Sequence, residues 1–212
     1  MDFNLPQIFI SFAVLLFSLT IHEMAHAWTA DRLGDPTARL LGRVSFNPVV
    51  HADLIGTVVF PLIALVGNVP LLGWAKPVPV SIGRLRHPRR DYMLVAAAGP
   101  ASNLVLAIVS AFALAALPIS PFVLGEANLS APLASFLSLA VNLNILLAVF
   151  DMLPIPPLDG GNVLSGLLPP KFSSLLNQVR RFGFVLLYAL ILTDGFNVLV
   201  LRPSMFLRSW LP

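Results

Sequence analysis

The run from Leu5 to Ala30 is apolar and long enough to cross a bilayer, yet it carries His22-Glu23-Met24-Ala25-His26 near its end. On a helix, His-Glu-x-x-His places two imidazoles one turn apart on the same face. That spacing lets both rings reach one zinc ion, with Glu23 beside them as general base on a zinc-bound water. Ionisable groups in a membrane helix are costly unless they face partners or a wet cavity. The stretch therefore restricts the fold to a membrane protein and points to hydrolysis inside it.

Composition agrees. Of 212 residues, 57% are apolar and 11% charged, against about a quarter charged in a soluble domain. The only glutamates are Glu23 and Glu126, so one of the two falls inside the motif. Cysteine is absent, which excludes disulfides and thiolate metal sites and leaves His, Asp, Glu or water as ligands. The net charge of +3 comes mostly from arginines near the ends of apolar segments, a pattern of membrane topology and not of nucleic-acid binding. The N-terminus is acidic and its apolar run holds the motif, so it does not read as a cleaved signal peptide.

With about 20 apolar residues needed per crossing, the candidate segments are Leu5–Ala30, Leu54–Leu72, Tyr92–Leu117, Ala131–Leu153 and Phe182–Leu201. Basic clusters follow the first (Arg32, Arg39, Arg43) and precede the third (Lys76, Arg84, Arg86, Arg89, Arg90) and the fifth (Lys171, Arg180, Arg181). The loop 118–130 has no basic residue. Excess Lys and Arg marks the cytoplasmic side, so the N-terminus and this loop would lie outside. All three clusters stay inside only if Leu54–Leu72, interrupted by Pro61, Gly67 and Pro70, enters and returns without crossing. Arg202 and Arg208 fit this arrangement less well. The fold expected is an all-α polytopic membrane protein, a single membrane-embedded domain over 1–212. Five to six transmembrane or re-entrant helices would surround a buried zinc site, with a short edge-strand or loop element near residues 74–82.

A catalytic zinc keeps one position for water, so a third protein ligand is needed. Asp159 is the best candidate, in Pro154-Ile155-Pro156-Pro157-Leu158-Asp159-Gly160-Gly161. The prolines end the fourth helix, the glycines allow close approach, and a carboxylate in apolar surroundings needs a partner such as a metal.

These two motifs together resemble the site-2 protease family of intramembrane zinc metalloproteases. Three further stretches fit: Gly73-Trp74-Ala75-Lys76-Pro77-Val78-Pro79-Val80, Ala98-Gly99-Pro100-Ala101-Ser102-Asn103, and Asn47-Pro48 leading to His51-Ala52-Asp53. The resemblance covers nearly the whole chain and is closest to short bacterial members without a PDZ or CBS domain. It implies one zinc per chain held by His22, His26 and Asp159, and Glu23 as base and then proton donor to the leaving amine. It implies transmembrane protein substrates, a multi-pass location in the plasma or inner membrane, and a site toward the cytoplasm. Oligomeric state is left open. The family motif usually begins with Asn where this chain has Asp151. An ionised aspartate accepts only and cannot donate to an oxyanion. Protonation would restore a donor, approach to the metal would make it an extra ligand, and weakened activity is the third alternative.

Residues Val78, Pro79 and Val80 would form an edge that pairs with an extended substrate, with Pro77 and Pro79 lacking donors as at a sheet margin. Asn103 and Asn144 read as interhelical hydrogen-bonding groups or as contacts to the site. His51 and Asp53 read as capping and loop residues, and His87 as part of a lipid-facing basic loop. Two rival functions stay in view. A catalytically weakened member would bind membrane clients, with Asp151 as its hint. A metal or ion transporter would show paired broken repeats, which are not visible, and gives no reason for Glu23 between the histidines.

Overall fold

A computed structural model describes residues 5–59, 63, 74–117 and 130–212 and has no strand among them. Helix α1 (Leu5–Arg32) leads into two single turns, α2 (Thr37–Leu40) and α3 (Pro48–His51). Helices α4 (Pro88–Ala115) and α5 (Ser130–Asp151) follow, then the short α6 (Asp159–Leu167), α7 (Pro170–Val179), α8 (Gly183–Leu192) and α9 (Arg202–Arg208). Among the described residues the regular structure is all helical, and α1, α4 and α5 are long and apolar enough to cross a membrane. The 28 residues of α1 and of α4 each extend about 42 Å, beyond the roughly 30 Å hydrocarbon core.

Helix α4 is the centre of the bundle and packs on α1, α5 and α6. Its buried face runs through Ala96, Gly99, Pro100, Asn103, Ala107, Ser110 and Ala111, a stripe of small residues at helical spacing. Between apolar helices in lipid there is little hydrophobic drive to associate, so small residues that let backbones approach supply the packing. Ala107 and Ala111 accordingly nest against Val141 and Ile145 of α5. Leu15 and Leu19 of α1 pack with Ala75 and, from α5, Leu143 and Leu147.

Several expectations change. The expected crossing at Phe182–Leu201 is broken: Val185–Leu192 and Asn197–Arg208 meet at 88°. The break falls at Thr193-Asp194-Gly195-Phe196, where Thr193 leaves the helical region and Asp194 Oδ1 accepts from Asn197 Nδ2 at 3.1 Å. The proline- and glycine-rich stretch 154–170 contains helix α6, and the basic stretch after it forms the amphipathic α7. Of the proposed re-entrant segment, Leu54–Val59 forms a wide helical turn; apart from Ile63, the rest lies outside the described residues, as does the loop 118–129.

The segment 74–81 forms neither helix nor strand, and buried polar groups hold it down. Arg43 donates to the carbonyls of Lys76 and Pro77 and to Val50 O. It is buried, so it acts as a clamp and not as an exposed topology charge. His51 is also buried, against the expectation of a solvated loop residue. Its ring donates through Nε2 to Ser45 O at 2.9 Å, its own carbonyl accepts from Lys76 N at 2.8 Å, and burial lowers its pKa. Asp53 does cap, accepting from the backbone of Ile55 and Gly56.

Asp35 is fully buried in the turn after α1. Its carboxylate accepts from Thr37 N at 3.1 Å, Thr37 Oγ1 at 2.5 Å and Ser81 N at 2.5 Å. Burial alone would raise its pKa; these hydrogen bonds and the Arg84 charge together outweigh it, and the carboxyl is held below its usual value. A depressed pKa contributes stability above the unfolded value, near pH 3.9, that is lost as pH falls through the folded value. Asp35→Ala leaves the Ser81 and Thr37 amides without their acceptor, which costs about 1–3 kcal/mol per group if they stay dry. The expected result is a lower thermal midpoint in detergent and faster amide exchange at Ser81, with α4 and α5 still protected; unchanged exchange at Ser81 would show that Asp35 does not hold the segment.

Candidate active site

Two elements bring the three candidate ligands together. His22 and His26 stand one turn apart on α1, and Asp159 opens α6. His22 Nε2 lies 3.0 Å from His26 Nε2, and each lies 3.2 Å from Asp159 Oδ2. Both histidines are buried, and the Asp159 side chain is 19% exposed.

The other ring nitrogens explain why these atoms turn inward. His26 Nδ1 is 2.7 Å from Val95 O, and a carbonyl only accepts, so Nδ1 carries the hydrogen. His22 Nδ1 is 2.6 Å from Asn103 Oδ1 and donates likewise. In the neutral rings Nε2 is then a bare lone pair. Two such lone pairs and a carboxylate oxygen form a nearly equilateral triangle, which a proton, serving two acceptors at most, does not satisfy. A tetrahedral zinc with bonds of about 2.0–2.1 Å has edges of about 3.3 Å between ligand atoms. The donor set and its spacing therefore fit zinc. Among the described residues this is the one cluster of His, Asp and Glu with the geometry to hold a metal ion.

Glu23, Asp151, Val78 and Val80 line the same cavity, of about 330 Å³, together with Tyr92, Asn162 and Arg180. Glu23 Oε2 accepts from Val78 N at 2.9 Å, so the carboxylate is tied to the segment 74–81. Asp151 ends α5 with Oδ2 3.9 Å from His22 Nδ1, on the ring edge away from the ligand triangle, and stands outside the triad. Pro79 is exposed; Val78 and Val80 are half-buried, and the N–H and C=O of Val80 have no partner among the described residues. Arg180 Nη2 donates to Asn162 Oδ1 at the cavity wall.

The chain matches the model of peptidase family M50 over residues 10–125 and 118–192. The chain belongs to peptidase family M50. The resemblance to site-2 proteases is thus borne out, and this M50 chain is a metalloendopeptidase of a membrane. A relative in Bacillus subtilis named "Putative zinc metalloprotease YwhC" is 38% identical over 179 residues, 84% of this chain and 78% of the relative. Rip2 of Mycolicibacterium smegmatis, named in the same terms, is 31% identical over 183 residues, 86% of this chain and 66% of its own. Rip2 of Mycobacterium tuberculosis H37Rv has the same identity and coverage. No solved structure matches significantly.

Gly99 of this M50 chain lies on the small-residue stripe by which α4 packs. The structure gives it a narrower reason. A Cβ there would lie 2.6 Å from His22 Cε1 and Nε2 and would also collide with His26 Nε2. Gly99 is the floor of the ligand triangle, and α4 sits this near because it has no side chain at that point. Gly160 and Gly161 do the same for Asp159, since side chains there would strike Met152, Leu153 and Pro156 backbone. Arg180 and Asn162 were missed as site residues; adjacency to the cavity comes from the packing of α6 and left no periodic signal.

Gly99→Ala is expected to displace the histidines, lowering bound zinc at least tenfold while helix content is kept. Retention of stoichiometric metal by that variant, measured by elemental analysis, would show that the floor can move.

Proposed function

We propose that this M50 chain is a zinc-dependent endopeptidase that hydrolyses peptide bonds in or near transmembrane segments of other membrane proteins. The domain spans 1–212 and carries one zinc, held by His22, His26 and Asp159. Five to six transmembrane or re-entrant helices enclose the site, which opens toward the cytoplasmic side of the plasma or inner membrane, where the basic clusters lie. The observation that carries the reading is the triangle of three inward-facing acceptor atoms with Glu23 in the same cavity.

Bound zinc supplies Lewis acidity, polarising a carbonyl and making water acidic enough to ionise near neutral pH. The remaining work falls to side chains of the chain. Glu23 takes a proton from the attacking water and delivers it to the leaving amine. The substrate must be unwound, because helical peptide bonds are shielded by their own ladder. Val78, Pro79 and Val80 offer it an edge: Val80 has a free donor and acceptor, and Pro79 adds no donor. Asp151 lies near enough to touch substrate as it binds, as an acceptor or, when protonated, as a donor to the developing oxyanion.

The test is zinc content and cleavage of a transmembrane model substrate in detergent. Glu23→Gln is expected to keep its zinc and lose about 10²–10⁴-fold in rate, the usual share of a general base. Asp151→Asn supplies an amide donor and is expected to cleave faster than the parent. A Glu23→Gln protein that still cuts at the parental rate would remove Glu23 from the mechanism, and a parent that binds no zinc would end the reading.

A further inference from the structure

Three buried polar residues between the long helices take no part in the chemistry above. Asn103 of α4 is 0% exposed, Asn144 of α5 1% and Ser18 of α1 0%. Asn144 Nδ2 lies 2.8 Å from Ala140 O and 2.9 Å from Ser18 Oγ. Asn103 Nδ2 lies 2.7 Å from Asn144 Oδ1, and Asn103 Oδ1 lies 2.6 Å from His22 Nδ1.

This chain has one direction. A backbone carbonyl accepts and never donates. Ala140 O therefore fixes the NH₂ of Asn144 on its own side and turns Asn144 Oδ1 toward Asn103. The facing atom of Asn103 must then be its NH₂, which leaves Asn103 Oδ1 for His22. An oxygen there requires a hydrogen on Nδ1 and so a lone pair on Nε2, the atom aimed at the triad. Were Asn103 turned over, its NH₂ would face His22, the hydrogen would move to Nε2, and the ring would present a donor where a metal ligand is needed.

We propose that Asn103 is a positioning residue for zinc, locked by Asn144, Ser18 and the Ala140 carbonyl, so that α5 dictates the tautomer of a ligand on α1. This rests on the zinc reading above and adds residues that touch no reacting atom. Outer partners of metal-bound histidines set ring orientation and basicity, and their loss typically costs about 10–100-fold in metal affinity.

The measurement is zinc affinity of the purified full chain by competition with a chelator, with the visible spectrum of the cobalt(II)-loaded protein as a geometric readout. Asn103→Leu keeps the shape and removes the acceptor; a 10–100-fold weaker zinc complex and an altered cobalt spectrum are expected. Asn103→Asp restores an acceptor for His22 but sets a carboxylate oxygen against Asn144 Oδ1, so it is expected to recover part of the affinity that Asn103→Leu loses. Asn144→Leu, which touches no ligand, is expected to weaken zinc in the same direction. The double Leu variant should be no weaker than Asn103→Leu alone, because both changes break one chain. Parental affinity in Asn103→Leu, or equal losses in its Leu and Asp variants, would overturn the proposal, as would additive losses in the double. If the parent itself takes up no zinc, the zinc reading fails first, and this inference with it.

Discussion

Three acceptor atoms held within hydrogen-bond distance of one another inside an apolar bundle are the constraint around which this protein is arranged. His22 Nε2, His26 Nε2 and Asp159 Oδ2 repel one another unless a cation sits between them. In the low dielectric of a membrane interior that repulsion is large, and so is the gain when a divalent ion relieves it. The price is geometric. Two of these groups come from one turn of α1 and the third from α6, and all have to be kept from relaxing outward.

Helix α4 does most of the keeping. One stripe of small residues serves both packing and chemistry: Ala107 and Ala111 seat α5, while Gly99 makes room for both histidines and the Val95 carbonyl orients His26. Pro100 sits within this stripe, next to Gly99. A larger residue on the stripe would act at a distance, because moving α4 away from α1 also withdraws the partners of His22 and His26. Close packing in lipid depends on backbone approach, so the bundle and the site share their tolerance for error.

What was legible before the structure followed from chemistry that leaves a local mark. His22, Glu23 and His26 share a face of one helix by spacing alone, and Asp159 stood out as a charge in an apolar, proline-broken stretch. The three helices long and apolar enough to cross, α1, α4 and α5, were visible as long apolar runs, with ends displaced by a few residues. What was hidden depends on neighbours brought by the fold. Asp35 and Arg43 look like ordinary loop charges, yet they are buried as staples for the segment at 74–81. The bend after α8 and the helix at 159–167 are set by Thr193-Asp194-Gly195 and by the packing of Gly160 and Gly161. Hydropathy averages over such short signals. Asn103 and Asn144 were marked as polar residues in membrane helices, but the direction of their hydrogen bonds needs the Ala140 carbonyl as a fixed end.

The site also explains why an enzyme in a membrane carries so many polar residues outside it. Water is scarce in the hydrocarbon region, so each buried amide and hydroxyl needs a partner within the protein. Asn103, Asn144 and Ser18 satisfy one another and terminate on His22. The Asp35 and Arg43 staples terminate on the segment that contacts Glu23 through Val78. One network reaches His22 from within the bundle, the other reaches Glu23 from the loops beside it. Polar groups that are costly in isolation are thereby placed where their orientation decides which lone pairs face the cavity.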